Sequence, residues 1–206
     1  MIGWRQPSRH PAIGLFLVAL LLWTPVGATP EPTTEAVPFQ GHTVERTLRA
    51  NGLTVLLLVD HSQPLVSVMA GYRVGSVREL PGITGIAHFV EHMLFRATRE
   101  LPGTEITRRI ERAGGHWHGY TSFEVTTFSE TVARRHLGML LHLESQRLSG
   151  ALIPEAEVAA EREAVIAELR WYEGDPSSVL ADAVSAIALT AHPLRYNVTG
   201  WVSDLN

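Results

Sequence analysis

Gly85-Ile86-Ala87-His88-Phe89-Val90-Glu91-His92-Met93-Leu94-Phe95 is the stretch on which the reading of this chain turns. Apolar residues at 86, 89, 90, 93, 94 and 97 recur at the spacing of one helical face, which predicts a helix over residues 84–97. His88, Glu91 and His92 then fall together on one side, while Ile86, Phe89, Val90, Met93 and Ala97 fall on the other. The helix is expected to have a core face and a separate chemical face. Two imidazoles one turn apart can point nitrogens at a single zinc ion, and a carboxylate between them can reach a water on that ion.

Upstream of this helix the pattern is strand-like. Residues 53–59 are rich in Val and Leu, a turn is expected over 60–64, and residues 65–74 are expected to form the second member of an antiparallel pair. Downstream, a helix over 104–113 closes at Gly114-Gly115. Residues 117–131, full of Thr, Val, Phe and Tyr, read as two strands around Ser122. Helices are predicted over 133–148, 154–172 and 177–190, with Pro154 where a missing amide proton costs nothing. Strands first and helices afterwards predict an α+β fold, a largely antiparallel sheet packed against helices.

A catalytic zinc takes three protein ligands and keeps one position open. The sequence has no cysteine, so the third ligand must be a histidine or a carboxylate. The predicted helix over 154–172 offers two candidates, Glu161 and Glu168, seven residues apart and on the same face. Val158, Val165 and Leu169 flank them, and a carboxylate at the rim of an apolar stripe calls for a cation. His42, His61, His136, His142 and His192 have no partner at ligand spacing and read as surface residues.

Of the 206 residues 45% are hydrophobic and 18% charged, the balance of a globular protein. A net charge of -4 gives no electrostatic footprint for nucleic acid or anionic lipid. Residues 1–28 read as a signal peptide. Arg5 and Arg9 precede an apolar run over 13–23, and Val26-Gly27-Ala28 supplies a small-residue cleavage pattern. Residues 29–40 read as a linker and 41–206 as the zinc-binding domain. The chain is therefore expected to be exported, periplasmic or secreted, with no membrane span once the leader is removed.

From residue 53 onward the sequence resembles the pitrilysin and mitochondrial-processing-peptidase family of zinc peptidases, whose reversed His-x-x-Glu-His order defines the inverzincins. The resemblance runs through Gly75-Ser76, the 85–95 stretch, Gly114-Gly115, Thr121-Ser122 and Glu161-Arg162-Glu163-Ala164-Val165-Ile166-Ala167-Glu168. It implies one zinc ion per chain held by His88, His92 and Glu168, with Glu91 as general base acting on a zinc-bound water. Glu161 is implied as support. One departure is His118-Gly119, where the family usually has Asn-Ala.

The same resemblance implies a zinc metalloendopeptidase that hydrolyses extended peptides or unfolded segments. Substrate would lie along a strand edge carrying Trp117, His118, Gly119, Thr121 and Ser122. Family members resemble two similar halves closing like a clamshell, so a second peptidase-like domain or subunit is an expected partner, and this chain is expected to end inside the first half, its zinc-binding N-terminal domain incomplete at the C-terminal end. The alternative is a non-catalytic or incomplete subunit that binds peptides and needs a partner chain or a missing C-terminal half.

Overall fold

A computed structural model describes the backbone of residues 15–21 and all of residues 32–205. Among the described residues, seven strands form one sheet in the order β2-β3-β4-β1-β5-β7-β6. They are β1 (Leu15–Leu21), β2 (Thr33–Phe39), β3 (His42–Leu48), β4 (Leu53–Leu58), β5 (Leu65–Tyr72), β6 (His116–Thr121) and β7 (Thr126–Ala133). Every neighbouring pair is antiparallel except β1 with β5. The helices are α1 (Ile86–Met93), α2 (Glu105–Arg112), α3 (Leu137–Gly150), α4 (Glu155–Glu173) and α5 (Pro176–Ala188). The expected α+β class is what the structure has.

Strict alternation explains where the core lies. On β7, Thr126, Phe128, Glu130 and Val132 are buried and their neighbours are not, and β5 buries Val66, Val68 and Ala70 in alternation until Gly71, which is buried too. Val66, Val68 and Val132 pack with Ile106 and Ile110 of α2 and with Leu140 and Leu143 of α3. A second cluster joins Val165, Ile166 and Leu169 of α4 to Leu205, with Phe89 of α1 against it. α1 is thereby held between the sheet and α4.

Two expectations change. The linker assigned to residues 29–40 contains β2, whose seven residues pair in register with β3 from Thr33–Leu48 to Phe39–His42. Gln40 and Gly41, with φ of 48° and 84°, make the tight turn between them, a turn that Gln-Gly signals weakly and Pro38 obscured. α3 begins four residues later than predicted because β7 keeps its pairing to β5 as far as Ala133. Most of the leader, residues 1–14 and 22–28, lies outside the described residues, yet the backbone of Leu15–Leu21 runs as a strand between β4 and β5. An uncharged run of this length suits the centre of a leader and the centre of a sheet equally, so hydropathy does not separate the two.

The entry into α1 depends on glycine. Gly85 has φ of 86°, and a Cβ there would meet the Thr199 carbonyl oxygen at 2.4 Å. The segment at 199–205 therefore lies directly on the start of α1, fixed by Asp204 accepting from the Thr84 hydroxyl at 2.7 Å and from the Thr84 amide at 3.1 Å. Gly85→Ala is expected to destabilise the domain by about 2 kcal/mol or more, combining left-handed backbone strain with a collision against main chain. A urea midpoint unchanged from the parent protein would refute this.

Candidate metal centre

Glu79 prepares the helix that carries the chemistry. Its carboxylate accepts the Gly85 and Ala87 amides, both at 2.8 Å, meeting two of the donors that a helix start leaves open. Burial raises the Glu79 carboxyl above its usual range, against the opposing pull of those two amides. From that start, α1 presents His88, Glu91 and His92 to β6 and α4.

This face is not solvated. His88 is 8% exposed and Glu91 7%, whereas Ile86, on the face expected to be core, is 44% exposed. The periodicity located the two faces, but α4 and β6 cover the chemical one. Its burial has a direct electrostatic effect. Burial first, and the neighbouring His92 second, hold the His88 imidazole below its usual range. Burial also raises the Glu91 carboxyl, and the hydrogen bond from Thr121 only partly offsets it. A neutral imidazole suits a metal ligand, and a carboxylate with raised proton affinity suits a base working near neutral pH.

The side chains converge on α4. Glu168 Oε2 lies 3.7 Å from His88 Nε2 and 3.4 Å from His92 Nε2, and these three residues are the group of His and carboxylate side chains, among the described residues, whose ligand atoms fall within 4.8 Å of one another. A tetrahedral site with bonds of roughly 2.0–2.1 Å separates its ligand atoms by about 3.4 Å, so the spacing fits zinc. The hydrogen bond with His92, ahead of the opposing effect of burial, holds Glu168 below the usual carboxylate range. His88 Nδ1 is buried with no hydrogen-bond partner, which leaves Nε2 as its oriented nitrogen.

Glu161, the other candidate carboxylate, does something different. It is 4% exposed and its Oε2 meets His92 Nδ1 at 3.1 Å, on the side of the ring away from Glu168. Its second oxygen pairs with Arg96. A carboxylate on the far nitrogen fixes the ring's tautomer and orientation. Glu161→Gln is expected to weaken zinc affinity by roughly 10–100-fold with the same three ligands in place. Competition titration against a chelating dye checks it, and an unchanged affinity would be the contrary result.

Glu91 rests on β6. Thr121 donates to its Oε2 at 2.9 Å, and a Cβ on Gly119 would lie 2.2 Å from its Oε1 and 2.6 Å from the Phe95 ring. An alanine methyl at 119 would press on the Glu91 carboxylate and the Phe95 ring, so the residue at 119 bears directly on where both side chains lie. His118, one residue earlier, has its ring stacked on that of Tyr120 at 6.5 Å. A cleft of about 470 Å³ runs past His88, Glu91, His92, His118, Thr121, Glu168 and the segment 197–199.

The five residues expected to receive substrate along a strand divide. β6 is the last strand of the sheet, so its outer edge is unpaired by any described strand. Trp117 packs its ring on Phe95 at 4.7 Å and donates to Glu111 at 3.1 Å, Thr121 serves Glu91, and Ser122 bonds Val125 within the turn. The outer edge of β6 is therefore mainly free backbone. Sequence reading missed Glu79, Arg96 and the hydroxyl of Thr121 as parts of the site. Arg96 alone had a signal, standing one turn after His92.

The sequence model of the insulinase family, peptidase family M16, matches residues 54–200. The chain belongs to this family. Its relatives include the zinc protease YmxG of Bacillus subtilis, 29% identical over 157 residues that cover 76% of this chain and 38% of the relative. Another is the probable mitochondrial-processing peptidase subunit beta of Arabidopsis thaliana, 30% identical over 73% of this chain and 28% of the relative. Among solved structures, a protease from Helicobacter pylori superposes with a TM-score of 0.73 at 28% identity, over 84% of this chain and 40% of that one. The first half of the periplasmic protease PqqL from Escherichia coli gives 0.64 at 25% identity, over 70% and 32%. The M16 chain thus spans less than half the length of these relatives.

Proposed function

We propose that this chain is the metal-binding half of an exported zinc metalloendopeptidase acting on extended peptides or unfolded segments. The observation that carries the reading is the convergence of His88 Nε2 and His92 Nε2 on one oxygen of Glu168, with the buried Glu91 beside them. His88, His92 and Glu168 would hold the ion, and zinc bound there supplies a Lewis acid that lowers the pKa of water to about 7 and polarises a carbonyl. Peptide adds its backbone to the free edge of β6. Glu91, tied to Thr121 through Oε2, takes the proton of the attacking water at Oε1 and later delivers it to the leaving amide nitrogen. The test is zinc content by elemental analysis followed by hydrolysis of an unfolded peptide with and without a chelator. Hydrolysis that survives full zinc removal would overturn the reading.

One observation favours an incomplete subunit that needs a second peptidase-like domain or chain. Leu180, Val184 and Ile187 form a stripe along α5 that is 64%, 57% and 79% exposed, and Trp171 nearby is 70% exposed. A zinc-loaded chain that turns over only when the second half is added is the outcome this predicts. Export rests on the composition of residues 1–28, and among the described residues no helix is long and apolar enough to cross a membrane. N-terminal sequencing of protein made in its own host decides it, with residue 29 expected first and an intact Met1 against it.

A further inference from the structure

α1 is held at its far end as well as at its start. Arg147, from α3, has a side chain with no exposure at all, and its Nε donates to the Leu94 carbonyl at 3.3 Å, the residue that ends α1. Its Nη1 donates to Glu130 of β7 at 2.9 Å and pairs with Glu144. The guanidinium lies 5.0 Å from the centroid of Phe95 and 4.3 Å from that of Phe128. Burial pushes the Glu144 carboxyl up to about 8, against the pull of Arg147.

A buried guanidinium between two carboxylates would by itself tie α3 to the sheet. Two of its contacts go elsewhere. The Leu94 carbonyl is at the negative end of α1, where a cation completes the helix, and the Phe95 ring forms the wall beside Gly119 and Glu91. We propose that Arg147 is a positioning residue of the metal centre, fixing the last turn of α1 through the Leu94 carbonyl and the Phe95 ring, and with it the aim of His92 and the seat of Glu91. The proposal rests on the zinc reading above, which the test treats separately.

The experiment uses the full chain and its Arg147→Lys variant, with Co²⁺ as the metal probe. Lysine keeps a charge between Glu130 and Glu144, but a single ammonium lacks the planar fork that also reaches Leu94. Expected are a Co²⁺ affinity at least tenfold weaker, an altered visible spectrum, and at least tenfold faster hydrogen exchange at the amides of Leu94, Phe95 and Arg96 in metal-free protein. Leu143→Ala, a core truncation on the same helix, controls for general loosening and should leave Co²⁺ affinity and spectrum at parent values. Parent-like affinity, spectrum and exchange in Arg147→Lys would overturn the proposal. So would an equal loss of affinity in Leu143→Ala, or a lysine variant that does not fold, since either assigns Arg147 to the core alone. A parent chain that binds no Co²⁺ refutes the metal centre itself, and the exchange measurement, which needs no metal, still decides whether Arg147 holds α1.

Discussion

Glu91→Gln is expected to lower kcat/KM for an unfolded peptide by roughly 10²–10⁴ while leaving one zinc per chain. Glutamine keeps the shape of the side chain and an oxygen able to accept the Thr121 hydroxyl, so the fold and the metal ligands are undisturbed. What disappears is the capacity to take and return a proton at Oε1. Parallel measurement of turnover and zinc content separates this from metal loss. Full activity in the variant would show that Glu91 is not the base, and loss of zinc would show that it belongs to the ligand set.

The second large effect concerns Glu168. Glu168→Ala is expected to leave two imidazoles, too few for a stable zinc site, so the purified variant should contain no stoichiometric zinc and show no hydrolysis. Its fold should be nearly unaffected. The Glu168 side chain is 33% exposed, and its removal strands no buried charge, so against the zinc-free parent a stability change within about 0.5 kcal/mol is expected, the stabilisation by bound zinc being lost in addition. Zinc analysis together with thermal melting checks both halves. Stoichiometric zinc in the alanine variant would move the third ligand elsewhere, Glu161 being the nearest carboxylate to His92.

These two residues show how far the sequence reaches. Spacing alone placed Glu161 and Glu168 on the same face and left them equivalent as ligands. Their different partners separate them, because Glu168 faces the Nε2 atoms of both histidines and Glu161 faces Nδ1 of one. A periodicity records which side of a helix a residue occupies. It does not record which atom of a ring on another helix that side meets.

The same limit explains α1. The grouping of His88, Glu91 and His92 was readable in eight residues, but their burial depends on β6 and α4, whose relevant residues lie 30 or more positions away. The spacing of residues around Gly119 does not show that the Glu91 carboxylate and the Phe95 ring pack against it. Arg147 gave no signal at all. Buried arginines are rare, and nothing local distinguishes this one from a solvated residue on an amphipathic helix.

By itself, the sequence determined the α+β class, most of the strands and helices, and the candidate set of two histidines and three glutamates, because hydrophobic period and ligand spacing are local properties of the chain. Only the tertiary structure decided the rest. The convergence of Glu168 on both histidines, the burial of Glu91, the pairing of residues 33–39 as a strand and the contact of Arg147 with the end of α1 each depend on contacts between segments far apart in sequence. Such contacts are set by how a sheet and its helices pack, and no short-range pattern encodes them.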